Sequence, residues 1–133
     1  MAENTRQTPE PDESAQLAKT LAGSAERVLE NLSELEPELR AAAIIGQNGA
    51  PVASSGTDPG WSARAGELLA ALDGAKDREI DSAHLATETA EIFVVRERGL
   101  ALVAVTGRFV LASLTSFDIR MALRDLAQEA GHA

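Results

Sequence analysis

Residues 41–56 read AAAIIGQNGAPVASSG, and the architecture follows from how this stretch alternates and turns. Together with Leu39 and Arg40, the run up to Gly46 is apolar on both alternating sets, Ala41, Ala43 and Ile45 on one and Ala42 and Ile44 on the other. A strand apolar on both faces belongs inside a sheet covered on both sides. Gln47-Asn48-Gly49-Ala50 follows, and Asn-Gly between two apolar runs is the strongest short hairpin signal in the chain. The return strand, Ala50–Ser55, carries Pro51, which has no N–H to donate to a ladder, so this strand is placed at a sheet edge.

Upstream, Leu17, Leu21, Ala25, Val28, Leu32 and Leu35 recur at helical spacing from Ser14 onward. Gly23-Ser24 is expected to break that helix, with Ser24 capping a second piece, and Pro37 to end it. Residues 1–13, polar and lacking an apolar period, read as a disordered tail, which leaves a domain over 14–131. Downstream, Asp58-Pro59 reads as a cap and first helical position, opening a helix to about Asp73 that Gly74 stops. Trp61, Ala65, Leu68, Leu69 and Leu72 share its apolar face, and Ala63, Gly66 and Ala70 make the opposite face small.

Three more strands follow: a weakly alternating one over 83–89, then Glu91–Arg96, a turn at Arg98-Gly99, and Leu100–Val105. No Gly or Pro separates the first two, so one long bent strand is the alternative there. A last helix spans about 110–130. Val110, Leu114, Phe117 and Met121 lie on one side of it and Ile119, Leu123 and Leu126 nearly opposite. Such a helix needs two partners, the sheet and either the first helix or another molecule. The order α-β-β-α-β-β-β-α predicts an α+β fold around one mainly antiparallel sheet. Strands 39–46 and 100–105 should be central neighbours, with the Pro51 strand on one edge and 83–89 on the other.

The chain has 133 residues, enough for one self-sufficient core. Its formal charge of -9 repels phosphate backbones, and 3% aromatics leave little for base stacking, so nucleic-acid binding is disfavoured. Without cysteine there is neither a disulfide framework nor thiolate chemistry. No apolar run is long enough for a membrane span and no signal-peptide pattern opens the chain, so a cytoplasmic protein is expected.

Catalytic signatures are missing too. There is no G-x-x-x-x-G-K-[ST] and no G-x-S-x-G. His84 and Glu88, on one strand face, would stand about 13 Å apart, too far for one metal ion. Asp73 with Asp77, and Glu88 with Glu91, read as solvated acidic faces. The arginines at 64, 96, 98, 108, 120 and 124 read as surface charges balancing nearby acids. No catalytic, metal-binding or cofactor-binding set is expected, and no enzyme.

The hairpin AAAIIGQNGAPVASSG, the helix WSARAGELLAAL, the hairpin EIFVVRERGLALVAV and the helix VLASLTSFDIRMALRDLA resemble, in pattern and order, the roadblock / dynein light chain family in its bacterial single-domain form. The resemblance runs from about Glu26 to Gln128. It implies a five-stranded antiparallel sheet of profilin-like topology, with the second helix on one face and the other two on the other face. It also implies homodimers, or heterodimers with a paralogous roadblock protein, made by joining edge strands, and a role as regulator or scaffold of small Ras-like GTPases.

The residues point the same way at one place. With one edge blocked by Pro51, the strand at His84, Leu85, Ala86, Thr87 and Glu88 is the edge free to pair. The helix residues Trp61, Ala63, Arg64, Gly66, Glu67 and Ala70 are the matching candidates for the dimer or partner surface. Two other functions stay in view, a profilin-like small-molecule sensing module, which needs a pocket of several hundred Å³, and a structural dimer scaffold.

Overall fold

A computed structural model of the chain describes residues 11–131. The elements are α1 (Pro11–Leu35), β1 (Leu39–Ile45), β2 (Pro51–Ser55), α2 (Trp61–Lys76), β3 (Ser82–Ala86), β4 (Glu91–Glu97), β5 (Leu100–Thr106) and α3 (Ala112–Gly131). They build one five-stranded antiparallel sheet in the order β2-β1-β5-β4-β3. The fold is thus the expected α+β sandwich, with β1 and β5 paired at its centre and the Pro51 strand on one edge.

The period-2 alternation of the central strands sorts the core into two layers. Ala42 and Ile44 of β1, Phe93 and Val95 of β4, and Leu100, Leu102 and Ala104 of β5 face α1 and α3. Ala43 and Ile45, Val94, Ala101 and Val103 face α2. Alanines at the centre let helices approach the sheet closely, and Leu29, Leu32, Ile119, Leu123 and Leu126 fill the layer beneath α1 and α3.

Several boundaries differ from expectation. α1 runs unbroken through Gly23-Ser24 and already includes Pro11; residues 1–10 of the expected tail, and His132, lie outside the described residues. Burial of Ala25, Leu29 and Leu32 in one stripe outweighs the helix-weakening effect of a single glycine, about 1 kcal/mol. α2 likewise continues through Gly74 to Lys76 and closes on Asp77 in the left-handed region (φ 57). At its start Gly60, not Asp58, is the N-cap residue; Asp58 accepts the Gly60 N–H (2.9 Å) and pairs with Arg64. The β1–β2 turn forms where Asn-Gly predicts it, with only Gly49 of that pair at positive φ (84). The Asn48 side chain takes up the Ala50 N–H instead (3.0 Å).

Candidate functional site

β3 lies at the sheet edge opposite β2, and the two edges are built differently. β2 carries Pro51, and its pairing with β1 is bulged between Ile44 and Ile45. β3 pairs with β4 in unbroken register from Ser82↔Val95 to Ala86↔Glu91 and has no proline, lysine or bulge. Natural edges are blunted by such devices, and β3 has none of them.

The register also says which groups are free. The Arg96 N–H donates to Asp81 O (2.9 Å) and the Thr87 N–H to Ala90 O (2.8 Å). Antiparallel pairs alternate between bonded and non-bonded, so Ala83 and Leu85 exchange their bonds with β4. Ser82, His84 and Ala86 turn N–H and C=O outward.

Thr87 and Glu88, expected within this strand, are not in it; β3 ends at Ala86. The Thr87 hydroxyl accepts the Ala90 N–H (3.0 Å) and closes a tight turn, which also excludes one long bent strand. Arg40 donates to Thr89 O (2.9 Å) and Arg108 to Thr87 O, so the turn is tied down from β1 and from the β5–α3 connection.

The middle of β3 is held by His84. Its ring stacks on Phe93 (centroids 4.5 Å apart, planes 7° off parallel), and Nε2 lies 2.7 Å from Glu91 Oε1. Glu91 is buried, and its other oxygen accepts the Phe109 N–H (2.5 Å). The His84 hydrogen bond, opposed by burial and aided by the Phe109 N–H, holds this carboxyl below its ordinary range. Glu91 is therefore no solvated face, and sequence spacing misses it because the pair forms across the β3–β4 turn. Asp73 is corrected in the same way. Arg96 grips it at 2.9 and 3.1 Å and also donates to Ile80 O (2.7 Å), fixing the connection from α2 into β3. That grip, opposed by burial, lowers the Asp73 pKa.

On the α2 side of the sheet, Leu68, Leu72, Ala83 and Ile92 are only partly buried and Leu85 is exposed, so an apolar shelf adjoins the free edge. Of the helix candidates, Ala63, Arg64, Glu67 and Ala70 are exposed. Gly66 is half-buried and faces the β1–β2 turn, where an added Cβ would stand 3.7 Å from Gly49 O. Trp61 is half-buried against the core layer, and its indole N–H finds no partner among the described residues.

By sequence, no family model and no curated protein matches the chain. Solved structures do match by shape. The gliding protein MglB from Thermus thermophilus superposes with a TM-score of 0.68 at 17% identity, covering 85% of this chain and 93% of that one. MglB from Myxococcus xanthus gives 0.66 at 13% identity (82% and 91% covered). A Roadblock/LC7 domain from Streptomyces avermitilis gives 0.63 at 17% identity (75% and 92% covered).

The chain has the roadblock/LC7 fold. In that fold the layers here are α2 on one face of the sheet and α1 with α3 on the other. Among the described residues no three His, Asp or Glu side chains cluster as metal ligands, and no helix is long and apolar enough to cross a membrane. A hollow of about 830 Å³ lies between α1 and the hairpin tips, lined by Leu21, Val52, Leu100 and Arg98 and not by Trp61.

Proposed function

We propose that this chain is a non-enzymatic dimeric adaptor that binds a small Ras-like GTPase and regulates its nucleotide cycle or its placement. The observation that carries the reading is the unguarded β3 edge, anchored to β4 by the His84–Glu91 pair and ended by the clamped turn, beside a half-covered apolar shelf. Such an edge tends to be paired by another strand, and a second copy of the chain satisfies this with two-fold symmetry. Ser82, His84 and Ala86 supply the backbone groups of the seam, and Leu85 lies on the shelf beside it. The α2 residues Trp61, Ala63, Arg64, Glu67 and Ala70 then form the platform for the GTPase. The roadblock fold and the likeness to MglB structures support the same reading.

The test mixes the purified chain with Ras-like GTPases encoded near its gene, loaded with GDP or with a GTP analogue. A complex on size-exclusion chromatography with light scattering, or a changed rate of GTP hydrolysis, is expected. Absence of both with every such GTPase refutes the proposal.

A further inference from the structure

On the sheet face away from α2, six of the eight exposed large apolar side chains of the described residues gather in one region: Leu35, Phe109, Leu111, Leu114, Phe117 and Met121. Leu111, Leu114, Phe117 and Met121 follow at steps of three, three and four, a continuous stripe that opens just before α3 and runs along one side of it. Ile119, Leu123 and Leu126 already take the sheet, so α3 cannot bury both sides of itself. Phe109 is 87% exposed and sits at φ 67, a strained setting for a bulky residue. Glu91 holds its N–H there, and the Arg108 guanidinium stands 4.7 Å over its ring. Clustered apolar exposure of this kind marks a contact surface.

The charge around it selects the occupant. Leu35 and Met121 line one recess of about 280 Å³ between α1 and α3, and the charged residues lining it are Asp118 and Asp125. Farther along the same helix pair a second recess of about 280 Å³ has Glu129 as its charged lining residue. Arg120 and Arg124 do not offset these acids, because both turn to Glu97. A second copy would set acid against acid in a chain of charge -9, and an anionic lipid surface would be repelled. A groove between two helices is shaped for a third.

We propose that the α1–α3 face docks a cationic amphipathic helix of a partner protein, its apolar side on Leu114, Phe117 and Met121 and its lysines or arginines over Asp118 and Asp125. The site is independent of the proposed GTPase platform and lies on the opposite face of the sheet, so both can be filled at once.

The probe is a fluorescein-labelled Leu/Lys amphipathic peptide of roughly 20 residues, long enough to be helical, titrated by anisotropy. Wild type is expected to bind it. The Leu114→Ser/Phe117→Ser protein keeps its charge and, with both side chains exposed, its thermal unfolding midpoint. It should bind about tenfold or more weakly. Asp118→Asn/Asp125→Asn should weaken binding and flatten its salt dependence. Hydrogen exchange should show peptide-dependent protection confined to residues 109–125 and the end of α1. No binding to wild type, or equal binding to the serine double variant, overturns the proposal. So does self-association of the Ala86→Pro protein that the serine pair abolishes, which would make the occupant a second copy. Flotation of wild type with phosphatidylserine vesicles, lost in the serine pair, would assign the face to a membrane and overturn it equally.

Discussion

Proline scanning of β3 separates the seam from the fold, because alternate residues of this strand serve different ladders. The Ala86 N–H points outward, whereas the Leu85 N–H bonds to β4. Ala86→Pro therefore removes no bond inside the protomer. In a two-fold seam it removes one bond per copy. At about 0.5–1.5 kcal/mol each, two lost bonds weaken the dimer by roughly 1–3 kcal/mol, about five- to 150-fold in dissociation constant, before any clash from the two rings. Leu85→Pro instead breaks the β3–β4 ladder and should lower the stability of the protomer itself. Sedimentation velocity over a concentration series reads the first effect and thermal unfolding at low concentration reads the second. Ala86→Pro should shift the monomer–dimer equilibrium and leave the monomer's unfolding unchanged; Leu85→Pro should destabilise both. A wild-type chain that stays monomeric at high concentration, or an Ala86→Pro protein that dimerises as wild type does, refutes the edge-pairing argument.

Arg96→Ala leaves Asp73 and the Ile80 carbonyl without their shared donor and should cost about 1–3 kcal/mol. Hydrogen exchange should quicken first over 77–82, and Arg96→Lys should rescue little, since the two-point grip needs a guanidinium. The Asp73 carboxyl lies below its ordinary value of 3.8, so its contribution is complete above that pH and vanishes as pH falls through the lower folded value. The stability gap between wild type and Asp73→Asn, measured by urea unfolding, should accordingly be wide at neutral pH and close below pH 3.8; a gap that widens on acidification contradicts the pairing. Glu36 has the opposite sign: burial and the neighbouring Asp118 raise its pKa above 4.5, so Glu36→Gln should stabilise at neutral pH relative to acid. Gly56→Ala should destabilise by roughly 1–3 kcal/mol, because the position has φ 116 and an added Cβ would meet Ala41 Cβ at 3.1 Å; an unchanged melting temperature would count against that strain.

Much of the architecture is legible in local patterns. The double alternation of Ala41–Ile45 and of Leu100–Val105 demands two covered faces, and Pro51 excludes its strand from the middle of the sheet. Those constraints already order most of the sheet. The boundaries that read least well are those where tertiary burial outweighs local propensity, as at Gly23 and Gly74, or where a side chain rather than a glycine makes the turn, as at Thr87.

The candidate site divides along the same line. That β3 is an edge follows from the sequence. Which of its residues face outward does not, because that depends on pairing with β4. His84 with Glu91 and Asp73 with Arg96 are likewise contacts between elements, and Leu35 and Met121 meet only as two walls of one recess. A linear pattern records the face on which a residue lies but not the neighbour that meets it. Periodicity, and what proline cannot do, are properties of the chain alone, and they suffice for the elements, their amphipathic faces and the blocked edge. Which carboxylates are paired, and which apolar stripe of α3 stays uncovered, depend on distances between segments far apart in the chain, and these exist only once it has folded.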